Sequence, residues 1–152
     1  MKTRAQSSLE YLMTYGWAIL VISAIGLVIW QMGVFKVSCP EKIAQGFSEI
    51  EVLDYKVTTS GVTLVLVNNG GSRVDINSEG AVSATVNSVS CTSTNPGITT
   101  FRPGAKETVG LTCTLTEYNP GDCYVGNISI TYNTTSSGLS HTSSGTIRGG
   151  IE

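Results

Sequence analysis

Charged side chains are scarce in this 152-residue chain: they make up 13% of it, about half the ~25% of an ordinary soluble domain. No cluster of lysine and arginine follows Arg4, which argues against a nucleic-acid-binding surface. A single histidine, His141, and the absence of a Cys-x-x-Cys pair argue against a metal site. No nucleophile, base and orienting residue form a recognisable set, so the sequence predicts neither an enzyme nor a bound cofactor.

A long uncharged stretch near the N-terminus is the most distinctive feature that is present. Lys2 and Arg4 precede it, Glu10 stands at its edge, and residues 11–35 carry no charge. As an α-helix at ~1.5 Å per residue this stretch spans roughly 37 Å, which is enough to cross a hydrocarbon core of about 30 Å. The two basic residues before it favour a cytoplasmic N-terminus.

Three interpretations of this stretch are open. A cleaved secretory signal peptide is disfavoured, because the apolar region is long and no small-x-small site followed by polar chain occurs before about Gly33. A signal anchor would hold one globular domain on a membrane. A prepilin leader would instead be cut before the apolar region, between Ala5 and Gln6, so that the helix stays on the mature protein.

The run RAQSSLEYLMTYGWAIL resembles the start of archaeal type IV pilin-like proteins with a class III signal peptide. The matching residues are the short basic leader, Gln6, Ser8 and Glu10, and the resemblance extends over residues 2–22. It implies cleavage by a prepilin peptidase and assembly, by a platform protein and an ATPase, into a homopolymeric surface filament. It also implies that Glu10 meets the N-terminal amine of a neighbouring subunit; the alternative is an interfacial glutamate that stays hydrated.

The sequence predicts three segments with different fates. Residues 1–5 form the cleaved leader, residues 6–38 form the hydrophobic helix, and residues 39–152 form an extracellular domain. The helix is expected to end at Cys39-Pro40, since proline disfavours helical backbone in the residue before it. Losing Lys2 and Arg4 changes the formal net charge from −2 to −4.

The predicted fold class is α+β: the N-terminal helix followed by an all-β, Ig-like sandwich. Seven or eight short strands separated by turns about every ten residues favour this architecture. In residues 48–57 the apolar side chains switch from even positions (Ile50, Val52) to odd positions (Leu53, Tyr55, Val57), which indicates a β-bulge. The continuous apolar run 62–67 predicts a central strand buried on both faces. Residues 81–89 alternate and are expected to form a single strand that ends at Cys91.

Apolar and polar residues alternate more regularly in the later segments of the chain. Residues 106–115 and 123–133 are predicted strands, with Tyr124, Ile128, Ile130 and Tyr132 facing inward. A last strand is expected at about 142–148. The loop 92–104 has room for a short edge strand.

Four cysteines, all after the helix, predict two disulfides on the oxidising side of a membrane; they are Cys39, Cys91, Cys113 and Cys123. Asn119-Pro120-Gly121-Asp122 is expected to set a hairpin in which Cys113 lies opposite about Ile128, which disfavours a Cys113–Cys123 bond. Two pairings remain. The first choice is Cys91–Cys113 with Cys39–Cys123, and the second is Cys91–Cys123 with Cys39–Cys113.

Two sequons, Asn127-Ile128-Ser129 and Asn133-Thr134-Thr135, are candidate glycosylation sites on the outward face of a predicted strand. The function that the resemblance implies is a filament subunit, with adhesion as the expected role. Within that class an archaellin or a minor pilin is an alternative. From another class, the alternative is a monomeric, membrane-anchored surface domain that binds a ligand.

Overall fold

The computed structural model describes residues 3–33 and 39–152, with the side chains of 3–9 and 12 left aside. The chain divides into two compact units, Met1–Ser38 and Cys39–Glu152. The predicted boundary between helix and domain falls at the same place.

The first unit contains helix α1, Thr3–Gln31. Just beyond its last residue lies Gly33, which has a φ of 66° and donates its N–H to Trp30 O at 3.1 Å. Glycine adopts this left-handed conformation without a Cβ clash, so it terminates the helix. The helix was predicted to continue to residue 38; it ends at Gln31 instead, and residues 34–38 lie outside the described residues.

The second unit is an antiparallel β domain, so the coarse α+β prediction is confirmed. Its ten strands among the described residues are β1 Ile43–Gln45, β2 Ile50–Thr58, β3 Gly61–Asn68, β4 Val74–Ile76, β5 Val82–Val86, β6 Val89–Thr92, β7 Ile98–Phe101, β8 Lys106–Thr112, β9 Cys123–Thr134 and β10 Ser140–Gly150. Hydrogen bonding links them in the order β1-β10-β9-β5-β6-β8-β3-β2, while β4 pairs with β7 and β9.

β2, at one end of this path, approaches β10, which is the second strand from the other end. Tyr55 Oη on β2 donates to Arg148 O on β10 at 2.6 Å, and Glu152 N donates to Val57 O at 2.9 Å. The domain is therefore nearly barrel-like. The Ig-like strand arrangement stays a prediction. An Ig-like sandwich consists of two separate sheets, whereas one hydrogen-bonded path connects β1 to β2 here.

Alternating strands place their apolar residues in one core. The largest fully buried side chains include Ile50, Leu64, Leu66, Ile76, Leu115, Tyr124, Ile128, Ile130 and Ile147. All four inward residues predicted on β9 are buried, which confirms the parity of that strand. The predicted bulge is also present, as a register shift between Val52 and Asp54 on β2.

Two strand predictions are wrong. Residues 62–67 are not buried on both faces, since Thr63 is exposed and Val65 is only half-buried on the outer side of β3. Residues 81–89 are not one strand: β5 ends at Val86 and β6 begins at Val89. The connecting Asn87 and Ser88 have φ values of 45° and 75°, the left-handed pair that a two-residue hairpin turn requires.

A predicted hairpin is also absent. Asn119–Asp122 does form a turn, with Asp122 N donating to Asn119 O at 3.0 Å. The strands on either side of the turn do not pair, however: β8 pairs with β3 and β6, and β9 pairs with β10, β5 and β4. The turn redirects the chain across the domain instead of returning it along the same strand.

Candidate functional site

The described side chains of α1 are exposed apart from a half-buried Ile29. Within the helix, Met13–Gln31 is long and apolar enough to cross a membrane, with a mean hydropathy of 1.9. Trp17 and Trp30 are 71% and 75% exposed. Side chains this apolar and this exposed are stable only when lipid or another protein surface surrounds them.

Glu10 lies on the first half of the helix, immediately before the apolar span, and its side chain is exposed. Thr14 Oγ1 donates to the backbone oxygen of Glu10 at 2.9 Å, and the rings of Tyr11 and Tyr15 lie 4.7 Å apart on the next turn. Within the described parts of the chain no cation lies within ion-pair distance of the Glu10 carboxylate.

The predicted cleavage junction, Ala5-Gln6, lies inside the helix, since α1 begins at Thr3. The side chains of both residues fall outside the described ones. Residues 3–5 therefore continue into the hydrophobic segment without a turn, and cleavage at the predicted junction would start the mature chain within a helical stretch.

Gly16 and Gly26 lie in the interior of the helix, where glycine costs about 1 kcal/mol relative to alanine. A Cβ at either position would meet nothing within 4 Å. Nothing in the described chain therefore requires glycine at these positions, whereas close approach of a second helix would.

The cysteines form the disulfides Cys39–Cys123 and Cys91–Cys113, which is the first-choice pairing. The reason given for that choice was wrong, because β8 and β9 are not a hairpin. What brings Cys91 beside Cys113 is the junction of β6 and β8, where the only registered pair is Thr92 with Thr112. The bond thus reinforces the place where the hydrogen-bonded path is thinnest.

The Cys39–Cys123 bond joins the first residue of the β domain to the first residue of β9. A Cβ on Gly150, at the end of β10, would lie 3.6 Å from Cys39 Sγ, so Cys39 is seated beside both long strands. Close by, the Glu152 carboxylate forms ion pairs with Lys42 and with Lys56, the latter at 3.2 Å. These exposed pairs raise the pKa of Lys42 and lower the pKa of the Glu152 carboxyl.

The outer side of β5, β9, β10 and β1 carries neutral polar side chains, here called the hydroxyl face; its members are Gln45, Ser83, Thr85, Asn127, Ser129, Ser144 and Thr146. They line a shallow depression of about 660 Å³ with Gly46 and Gly145 also at its surface. A Cβ on Gly145 would lie 2.6 Å from Gln45 O and from the Phe47 ring, so glycine is required there. This face was not predicted from the sequence, although Ser and Thr at every second position of 142–146 are a signal for it.

Asn127 lies within the hydroxyl face, on the middle of β9, and is exposed. Its Oδ1 accepts a hydrogen bond from Thr146 Oγ1 at 3.2 Å. Asn133, also exposed, is one residue from the end of β9 and next to the turn that leads to β10. Both asparagines therefore point outward as predicted, and Asn133 is nearer to irregular backbone.

His141 is exposed, and its ring stacks on Tyr132 with centroids 5.8 Å apart. Tyr132 is buried, and its hydroxyl donates to Glu49 Oε2 at 3.0 Å. Burial, followed by this hydrogen bond, raises the pKa of Tyr132 to about 12.

Comparison with known proteins adds no relative: no family model, no curated protein and no solved structure matches the chain.

Proposed function

We propose that this protein is a subunit of an archaeal type IV pilus-like surface filament that polymerises through its N-terminal helix. The observation that carries the proposal is an exposed apolar helical span, Met13–Gln31, directly preceded by the Gln6, Ser8 and Glu10 pattern. The β domain, with its own core and two disulfides, forms the outer part of the filament and provides its adhesive surface.

Processing is proposed to occur between Ala5 and Gln6, by a prepilin peptidase. Before cleavage Lys2 and Arg4 hold the N-terminus on the cytoplasmic side of the membrane. Cleavage removes both charges and exposes an α-amine, which is largely protonated near neutral pH given an ordinary pKa of about 7.7–8.0.

Assembly then transfers the helix from lipid to a bundle of helices in the filament core, by way of a platform protein and an ATPase. An unpaired carboxylate in that core would cost several kcal/mol, so Glu10 pairs with the α-amine of a neighbouring subunit. Because only one axial offset brings the two groups together, the pair selects the register between subunits. Gly16 and Gly26 allow the helices to approach closely.

The disulfides and the sequons support an extracytoplasmic location for the domain, since disulfides persist in oxidising compartments. We propose that Asn127 and Asn133 carry glycans in a host that glycosylates such sequons. An archaellin or a minor pilin of a related filament would share all of these features.

A monomeric, membrane-anchored binding domain is the second candidate function. The depression in the hydroxyl face favours it, since a concave surface of neutral donors and acceptors is suited to a small polar ligand. In that case Lys2 and Arg4 remain on the protein, and α1 stays in the bilayer.

The test is electron microscopy of sheared cell-surface material, with N-terminal sequencing of the protein that it contains. The filament proposal expects polymers whose subunits begin at Gln6. Full-length protein that begins at Met1 and is found only in membranes supports the anchored domain and contradicts the filament.

Variants separate processing from assembly. Ala5→Glu is expected to block cleavage and abolish filaments, whereas Glu10→Ala is expected to be cleaved normally and to give fewer filaments. Glu10→Gln, which keeps the shape of the side chain and one acceptor oxygen but loses the charge, should fall between Glu10→Ala and the natural protein. Normal filaments from Glu10→Ala would remove the pairing step alone; normal filaments from uncleaved Ala5→Glu would overturn the proposal.

A further inference from the structure

The hydroxyl face is built from two cross-strand rows of neutral polar side chains. The residues of the first row, which are register partners across β1, β10, β9 and β5, are Gln45, Thr146, Asn127 and Thr85. The residues of the second row, which are partners across β10, β9 and β5, are Ser144, Ser129 and Ser83. Neighbours within a row lie about 4.8 Å apart, and the two rows lie roughly 7 Å apart along the strands. A group attached in the middle of the first row therefore reaches side chains of both rows.

Asn127 occupies the centre of this pattern. Its partners within the row are Thr146 and Thr85, and Ser129 follows two residues along β9. Thr146 Oγ1 donates to Asn127 Oδ1 at 3.2 Å, whereas Asn127 Nδ2 donates to no atom of the described residues. N-glycosylation modifies Nδ2, so a sugar can be attached to Asn127 while the hydrogen bond to Oδ1 still orients the amide group.

Glycosylation of Asn127 replaces one hydrogen on Nδ2 with a sugar. The donor is an oligosaccharide whose anomeric carbon carries a phosphate leaving group. The anomeric C–O bond breaks and its electron pair leaves with the phosphate, while Nδ2 forms the new C–N bond and loses one proton. No atom is oxidised or reduced, and Oδ1 remains an acceptor for Thr146.

The lining of the depression matches a sugar in chemistry but binds a free ligand weakly. Among the described residues that line it, none is charged and none is aromatic. Its hydroxyl and amide groups can exchange hydrogen bonds with sugar hydroxyls. A free sugar must also offset its lost translational freedom, and a shallow surface without an aromatic anchor contributes little toward this. A sugar linked to Asn127 avoids most of that cost, because the tether keeps its effective concentration in the millimolar range.

We propose that the glycan on Asn127 folds back into the depression of the hydroxyl face and bridges β9 to β5 and β10. The domain then carries its own saccharide ligand. The proposal rests on the proposed function in one respect, the glycosylation of Asn127. A glycan seated in this way opposes the separation of the three strands, because their separation removes its hydrogen-bond partners.

Asn133 provides the matched contrast within the same strand. It is exposed, one residue from the end of β9, and its register partners are Ser140 and Asp75. None of these three residues lines the depression. A glycan on Asn133 therefore has no comparable surface on which to fold back.

The test is hydrogen–deuterium exchange, read by mass spectrometry, on whole protein extracted from membranes in detergent. Asn133→Gln keeps a glycan only at Asn127, and Asn127→Gln keeps one only at Asn133. Each variant is made in the protein's own host and in the same host without its oligosaccharyltransferase. Every comparison is then between identical sequences with and without the glycan.

The Asn127 glycan is expected to slow exchange in peptides that contain residues 83–85 and 144–146. The slowing should be roughly two- to tenfold, which corresponds to an effective concentration about one to ten times the dissociation constant. The Asn133 glycan should leave exchange in these peptides unchanged. Adding Ser83→Ala/Ser144→Ala to Asn133→Gln should remove most of the protection while Asn127 stays glycosylated. Ser129 is kept, because the sequon requires its hydroxyl.

Three results would each overturn the proposal: an unmodified Asn127, equal exchange with and without its glycan, or protection that persists in Ser83→Ala/Ser144→Ala. A glycan on Asn133 beside an unmodified Asn127 would overturn the seated glycan alone and leave the filament proposal standing. Failure to find filaments would leave the exchange result intact, since the measurement uses unassembled protein.

Discussion

The helix and the β domain use the same apolar side chains in opposite surroundings. Leu20 on α1 is 65% exposed, whereas Leu64 on β3 is fully buried. The domain buries its apolar residues against one another because alternating strands turn every second side chain toward a shared core. A single helix that is apolar on all sides has no such inner face, so it must be surrounded by lipid or by other helices.

Glycine shows the same contrast. At Gly61 an added Cβ would lie 2.4 Å from Leu111 O, so the fold of the domain itself requires the absence of a side chain. At Gly16 and Gly26 an added Cβ would meet nothing within 4 Å. At Gly61 the fold of the domain therefore excludes a side chain, whereas the described residues leave room for one at Gly16 and Gly26.

The contrast between the two units would fail completely if the β domain needed the helix in order to fold. We expect a fragment of residues 39–152 to fold alone as a soluble β protein, because its core and both disulfides lie within it. Far-UV circular dichroism and urea titration should show β structure and one cooperative transition. A fragment without such a transition would contradict the separation into two units.

Removing a disulfide should have the largest effect on the domain's free energy of unfolding. The Cys39–Cys123 loop spans 84 residues, and the chain-entropy relation predicts a loss of about 4–5 kcal/mol for Cys39→Ser/Cys123→Ser. The 22-residue Cys91–Cys113 loop predicts about 3 kcal/mol. Chemical denaturation of both double variants measures the difference; a larger loss from the shorter loop would contradict the entropic account.

The same truncation in the two units gives the sharpest contrast. Leu64→Ala should cost the domain about 2–5 kcal/mol, since it leaves a cavity in a closed core. Leu20→Ala, in the helix, should leave the unfolding transition of the domain unchanged in full-length protein in detergent. A shift of that transition by Leu20→Ala would show that the core of the domain depends on the helix.

Alkaline pH should destabilise the domain through its buried tyrosines. The pKa of Tyr132 is raised to about 12, so the folded state holds its proton more tightly than the unfolded state, whose tyrosine has a pKa near 10. Stability should be constant below pH 10 and fall as the pH rises toward 12, by up to about 1.4 kcal/mol per pH unit for one tyrosine. The free energy of unfolding, measured by denaturation at several pH values in this range, should fall less steeply with pH for Tyr132→Phe than for the natural protein. An equal slope for both would contradict the assignment to Tyr132.

The smallest expected change in the free energy of unfolding comes from removing either of two buried tyrosine hydroxyls. Tyr124 Oη has no hydrogen-bond partner among the described residues, whereas Tyr55 Oη donates to Arg148 O. Tyr124→Phe should be neutral or stabilising by about 1 kcal/mol, and Tyr55→Phe should destabilise by about 1 kcal/mol. Thermal or urea unfolding of the two matched variants decides between this order and its reverse.

Patterns within single segments were predictable from the sequence. The inward parity of β9, the bulge in β2 and the helix preceded by Glu10 each depend on neighbouring residues alone. The β5–β6 hairpin was missed because its turn is Asn87-Ser88, without the glycine that usually marks such a turn. The helix end was missed because Gly33 adopts a left-handed conformation several residues before Cys39-Pro40.

The sequence by itself determined a separate apolar helix, a β domain with two disulfides and the outward position of Asn127 and Asn133, because composition and parity are local properties. Only the tertiary structure decided which strands are neighbours. Antiparallel ladders form between any strands whose registers and buried faces match, so the turn at 119–122 did not impose a β8–β9 hairpin. The same long-range pairing placed Cys91 beside Cys113 and brought Ser83, Asn127 and Thr146 together on one face, because cross-strand neighbours come from segments that are distant in the chain.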